Sequence, residues 1–216
     1  MSAECGFSLE HYRELLEAAK RGGYRWSAFD RPPEPGDLLL RHDVDLSLAA
    51  AVAMAEVEAQ AGAWSTWFLM TRSVFYNLAS REGQGAAAAL RALGGRIAHH
   101  AVWPDVDLDP RFSFEPVVAW HNPEPGYMSE PIAGAANVMS PPWFDPEHYR
   151  SDSNQRWRHG CPHAALERGE LEWLQLLVHP EIWVYEGDTM GETMRSFLDA
   201  DREARLELLR EDRIDL

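Results

Sequence analysis

Hydrophobic positions fall along this chain in short blocks that switch between two periods. Between residues 8 and 20, Leu9, Tyr12, Leu15 and Leu16 recur at helical spacing, Ser8 stands at the capping position, and Gly22-Gly23 ends the run. The spacing predicts a helix there. Arg31-Pro32-Pro33-Glu34-Pro35-Gly36 is a stiff turn that feeds the unbroken apolar run Leu38-Leu39-Leu40, which reads as a buried strand. Ser47 to Ala61 is Ala-rich and helical, with Gly62 as a C-terminal stop. Ser65-Thr66-Trp67-Phe68-Leu69-Met70 is β-branched and aromatic, a second strand. Residues 78–93 form another helical stretch closed by Gly94-Gly95, and Arg96-Ile97-Ala98-His99-His100 is a third strand.

Strand, helix, strand, helix, strand in that order implies parallel pairing with right-handed crossovers, an α/β fold. Further strands are expected at Val117–His121 and at Leu174–His179. Residues 122–163 between them are rich in Pro, Trp and Asp, too interrupted for regular helices, and long loops of that kind usually carry function. Residues 189–213 predict a charged amphipathic helix with Met194, Phe197, Leu206 and Leu209 available for packing. A length of 216 residues fits a single domain.

What changes the picture is how the strands end. The first apolar run stops abruptly at Arg41-His42-Asp43-Val44-Asp45, and alternation along a strand puts Asp43 and Asp45 on one face, His42 and Val44 on the other. The other strands finish at His99/His100, His121 and His179. Carboxyl ends of parallel strands in a barrel converge on one face, where such folds place their active sites. One histidine at a strand end is more often structural, and the bland reading of Asp45, the less favoured one, is that it only caps the next helix. Four convergent ends point to chemistry instead. A set of Asp and His without Cys suits zinc or another first-row divalent ion in hydrolysis, with an Asp to take a proton from water and a His to protonate the leaving group. His99 and His100 are adjacent, so only one of them faces such a site.

The formal net charge of −15 argues against nucleic acid and against an anionic membrane surface, and fits a neutral or cationic substrate better, without choosing one. No apolar run approaches the roughly 18 residues of a membrane span. Met1-Ser2-Ala3-Glu4-Cys5 shows no basic region before an apolar core, which leaves a cytoplasmic location as the expectation. Only Cys5 and Cys161 are present, with Cys5 in an amino terminus expected to be mobile, so neither a disulfide framework nor a cysteine-based metal site is indicated. Trp103, Trp120, Trp143, Trp157 and Trp183 are many tryptophans near strand ends; Trp143, in Pro141-Pro142-Trp143-Phe144, and Trp157 are candidate platforms for a sugar face.

The motifs carry a resemblance. Leu40-Arg41-His42-Asp43-Val44-Asp45 resembles the first motif of the polysaccharide deacetylase (NodB-homology) superfamily, in a variant subgroup with Arg-His-Asp-Val-Asp. In order follow Arg96–His100, Trp120-His121-Asn122-Pro123, Tyr149-Arg150-Ser151-Asp152-Ser153 with Trp157, and Leu176-Leu177-Val178-His179-Pro180-Glu181-Ile182-Trp183, each similar to a motif of that subgroup over residues 36–185. The resemblance implies a distorted, incomplete (β/α) barrel and metal-dependent removal of an N- or O-acetyl group from a sugar. Carried over, Asp43 takes the general-base position, Asp45 is a carboxylate ligand, His100 the metal-binding histidine and His179 the general acid, with Asp152 orienting that acid. Val44 separates two acids that are adjacent in the standard motif. Trp103 and Pro104 stand where a second histidine would follow His99 and His100, which makes His121 the candidate to replace it. The arginine that steadies the base has no clear match. A catalytically impaired glycan- or partner-binding member, or a hydrolase of non-sugar amides, are the other readings.

Overall fold

Capping side chains set the helix starts. Ser8, Ser47 and Ser80 each accept a hydrogen bond from the backbone N–H three residues on, and so open α1 (Leu9–Arg21), α2 (Leu48–Ala61) and α3 (Arg81–Ala92). Gly62 ends α2 in the left-handed region (φ 67°), which its missing Cβ permits. The strands are β1 (Arg25–Trp26), β2 (Asp37–Val44), β3 (Thr66–Leu69), β4 (Arg96–Val102), β5 (Val117–His121), β6 (Ala136–Asn137), β7 (Tyr149–Ser151) and β8 (Leu174–Val178). Three more helices complete the chain: α4 (His163–Arg168), α5 (Pro180–Val184) and α6 (Met190–Glu211), the last opened by a capping box of Thr189 and Glu192. The computed structural model describes residues 5–102, 104–106 and 108–213; Trp103 and the chain ends at 1–4 and 214–216 lie outside the described residues.

All strand pairs are parallel, in the order β6-β5-β4-β3-β2-β8-β7, with β1 added beside β2. The sheet is curled into a half-barrel. Gln175 on β8 shows the curl: its Nε2 donates to the carbonyl of Val138 just past β6 at 3.2 Å, although five strand spacings would set these strands about 24 Å apart in a flat sheet. Alternation then sorts every strand. Leu39, Phe68, Ala98, Val117 and Ala119 pack inside the curl, while Leu38, Leu40, Val44, Trp67, Leu69 and Ile97 pack outside against the helices. His42 belongs to that outer layer: its ring stacks on Trp67 at 3.8 Å and its Nε2 lies 2.5 Å from Glu58 Oε1, which also accepts from Tyr12. Among the described residues, no helix is long and apolar enough to cross a membrane.

Three expectations are corrected here. Residues 122–163 contain two strands, β6 and β7; they are too short to show a period in sequence, and form because the neighbouring strand edges offer backbone partners. The second half of α6 is largely uncovered among the described residues: Phe197 is buried and Leu206 half-buried, whereas Leu209 is exposed. Asp45 does not cap α2; Ser47 does, and Asp45 is left for other work.

Candidate metal and acid–base site

The inner face of the half-barrel carries the chemistry to its carboxyl rim. Register places Ala119 beside His100 and His121 beside Val102, so His100 and His121 share the inner face two residues out of step. Asp43 lies on that face of β2, and Asp45 follows immediately after the strand. His100 Nε2 and His121 Nδ1 each stand 3.1 Å from Asp45 Oδ1, and 3.2 Å from one another. His100 Nδ1 lies 3.0 Å from the Ala119 carbonyl, which fixes the proton on Nδ1 and leaves the Nε2 lone pair facing the other two atoms.

Three donor atoms at the corners of a near-equilateral triangle fit a divalent ion. Nitrogen and oxygen ligands about 2.1 Å from one ion stand about 3.0 to 3.4 Å apart, depending on coordination number. Asp45 Oδ1 is buried and has no aligned hydrogen-bond donor among the described residues, as expected for an atom that serves a cation. Asp45, His100 and His121 are therefore brought together as a group able to hold a metal, with His121 supplying the third corner. Burial opposes ionisation of Asp45, but the His100 and His121 rings outweigh it and hold the carboxyl well below the usual range. Contact with Asp45 in turn raises His121. His99 points outward, its ring 5.4 Å from that of Phe114.

Asp43 is held apart from this triangle by a residue that sequence reasoning passed over. Arg41 Nε and Nη2 donate to Asp43 Oδ1 and Oδ2 at 2.8 and 2.6 Å, and Nη1 donates to Gln175 Oε1 at 3.1 Å. Burial of both side chains penalises the Asp43 charge, yet Arg41 outweighs this and lowers its pKa. Asp43 Oδ2 remains 3.7 Å from His100 Nε2, beside the triangle. An arginine thus holds this acid from two residues before it, on the same strand face. Alternation was the signal that could have found it.

Across the same cavity, of about 430 Å³, stands His179. Its Nδ1 lies 2.6 Å from Asp152 Oδ1, and its backbone N–H donates to Asp152 Oδ2 at 2.9 Å. Trp183 Nε1 also donates to Oδ2, at 2.7 Å, so the fully buried Asp152 is saturated and aimed. Burial works against a charged imidazole, but Asp152 outweighs it and His179 is pushed up to about 10.

Two expected platforms are elsewhere. Trp143 packs into the inner cluster and its Nε1 donates to the Arg31 carbonyl at 2.9 Å; Trp157 stacks on Phe7 at 5.8 Å, away from the cavity. Both rings bury more apolar surface in those positions than at an open rim. Phe144 and Tyr149 line the cavity in their stead, with Met128, Met139 and Leu177 as apolar wall and Ser151, Ser153, Arg158 and His159 as polar groups. Comparison with family models, with curated proteins and with solved structures finds no match for this chain.

Proposed function

We propose that this chain is a metal-dependent hydrolase that removes an acetyl group from an N- or O-acetylated carbohydrate, with Asp45, His100 and His121 holding zinc or another first-row divalent ion. The single observation that carries the reading is the donor triangle with sides of 3.1, 3.1 and 3.2 Å beside the arginine-bound Asp43. Such an ion supplies Lewis-acid polarisation of the acyl oxygen and a more acidic water. Asp43, kept ionised by Arg41, accepts the proton of the attacking water. His179, charged at neutral pH and anchored through Nδ1 to Asp152, presents its other ring nitrogen to protonate the departing nitrogen or oxygen. Acid and base thus hold opposite protonation states at one pH, set by Arg41 and Asp152 respectively.

The cavity's mixture of rings and hydroxyl, amide and guanidinium groups suits a sugar better than a purely apolar amide. A net charge of −15 supports a neutral or cationic small molecule over nucleic acid or an anionic membrane. Against the reading of an impaired, binding-only member stands His121, whose Nδ1 completes a three-atom group with Asp45 and His100. The test is hydrolysis of a panel of acetylated sugars and acetamides by zinc-loaded protein. Asp43→Asn should lower kcat at least about 100-fold while leaving zinc content unchanged. Equal rates for the two proteins, or release from acetamides but from no sugar, would remove the assignment.

A further inference from the structure

A second group of metal-ligating side chains lies on the helical side of the molecule, built from residues the proposed reaction does not use. Cys5, His11 and Cys161 each bring one ligand atom to within 4.8 Å of the others, beside a cleft of about 850 Å³. His11 Nε2 stands 3.3 Å from Cys161 Sγ, although 150 positions separate them in the chain. The other ring nitrogen, Nδ1, lies 3.0 Å from Glu14 Oε2. That carboxylate accepts the Nδ1 proton, so Nε2 is left with a lone pair aimed at the sulfur. A carboxylate that fixes a histidine tautomer in this way is the usual outer support of a zinc-bound imidazole. Sulfur and nitrogen ligands at about 2.3 and 2.1 Å from a tetrahedral ion stand about 3.6 Å apart, close to the separation seen here.

We propose that Cys5, Cys161 and His11 form a zinc site, distinct from the Asp45 triangle, with His163 or solvent in the fourth position. His163 lies nearby, its ring centroid 5.4 Å from that of His11, and it groups with His11 and Glu14 apart from the two sulfurs, so it reaches the fourth position only by turning toward them. Two thiolates and an imidazole are a soft donor set that selects zinc over magnesium or calcium. The site ties the segment around Cys5 to the start of α4. Phe7, two positions after Cys5, stacks on Trp157 and meets Trp183 edge-on at 5.3 Å, and Trp183 is the donor that holds Asp152. Zinc at the cluster therefore braces the back of the chain of contacts that positions His179. Nothing in the sequence indicates such a site; the two cysteines, far apart in the chain, meet a histidine only in space.

Cobalt titration of the reduced, metal-free full-length chain tests this independently of the hydrolytic reading, since only thiolate ligands give sulfur-to-cobalt charge-transfer absorption in the near ultraviolet. The band is expected in the natural protein and in Asp45→Ala, and is expected to vanish in Cys5→Ser and Cys161→Ser. Competition with a chelator should show zinc held about 10-fold more weakly in Glu14→Gln. No charge-transfer band, a band that survives both serine variants, or a Cys5–Cys161 disulfide that persists with zinc present (read as loss of both thiol hydrogens in the intact mass) overturns the proposal.

Discussion

Arg41→Met isolates what the arginine does for the inner face of the sheet. Methionine keeps a long stem of similar shape, so the guanidinium over the Phe68 ring, 5.3 Å from its centroid, is lost with little change of volume. Asp43 then becomes a buried carboxylate without its cation. Charges about 4 Å apart at an effective dielectric near 20 interact by about 4 kcal/mol. Removing one partner of a buried pair costs about 3 to 5 kcal/mol, which agrees. The sign with pH separates this cause from lost packing. In the natural protein Asp43 is depressed, so its contribution is present above the unfolded value near 3.9 and is lost as pH falls through the lower folded one. In the variant, burial dominates and raises Asp43, so the folded state takes up a proton there as pH falls. The deficit should therefore shrink on acidification, by up to about 1.4 kcal/mol per pH unit. Urea unfolding with chelator present, at about pH 7.5 and about pH 5, measures both quantities. A deficit under about 1 kcal/mol, or one equal at the two pH values, refutes the reasoning.

Three further outcomes follow from the same geometry. Asp152→Asn removes the charge that holds His179 up to about 10, so the alkaline limb of kcat/KM should move to lower pH. The stability contributed by charged His179, full below about 6.5 and lost as pH rises through about 10, should disappear with it; pH-dependent melting reads this out. Glu181, buried and pushed up to about 8 by that burial, binds a proton in the folded state that the unfolded chain releases near 4.5, so natural-protein stability falls between those values; Glu181→Gln should flatten the curve and be the more stable protein above about pH 8. Ser47→Ala should cost about 1 kcal/mol in denaturant unfolding through the lost cap of α2, and Asp45→Asn should leave that helix's stability unchanged.

Local patterns in the chain were enough for the order of the longer strands and helices and for the polar residues at the strand ends. Serines before Ala- and Leu-rich runs, and Gly62 after one, mark helix ends because capping is a contact between near neighbours. Alternation along β2 put Asp43 and Asp45 on the same face, and the histidines at strand ends were visible as residues. The same rule applied one step further back would have revealed Arg41. The short strands β6 and β7 carry no period of their own, and the rings of Trp143 and Trp157 chose interior partners that no local pattern names.

Tertiary structure decided which of these residues meet. Curling the sheet brings His100 and His121, from adjacent strands, against Asp45, and sets His179 across the cavity with Asp152 behind it. It also sorts the two acids by environment: Arg41 pairs with Asp43, and Asp45 lies against the two imidazoles. Cys5, His11 and Cys161 are the plainest case, since their meeting depends on α1 packing beside α4. Residue type and spacing specify what each strand end can do. Only the packing of distant segments specifies which ends act on the same atom.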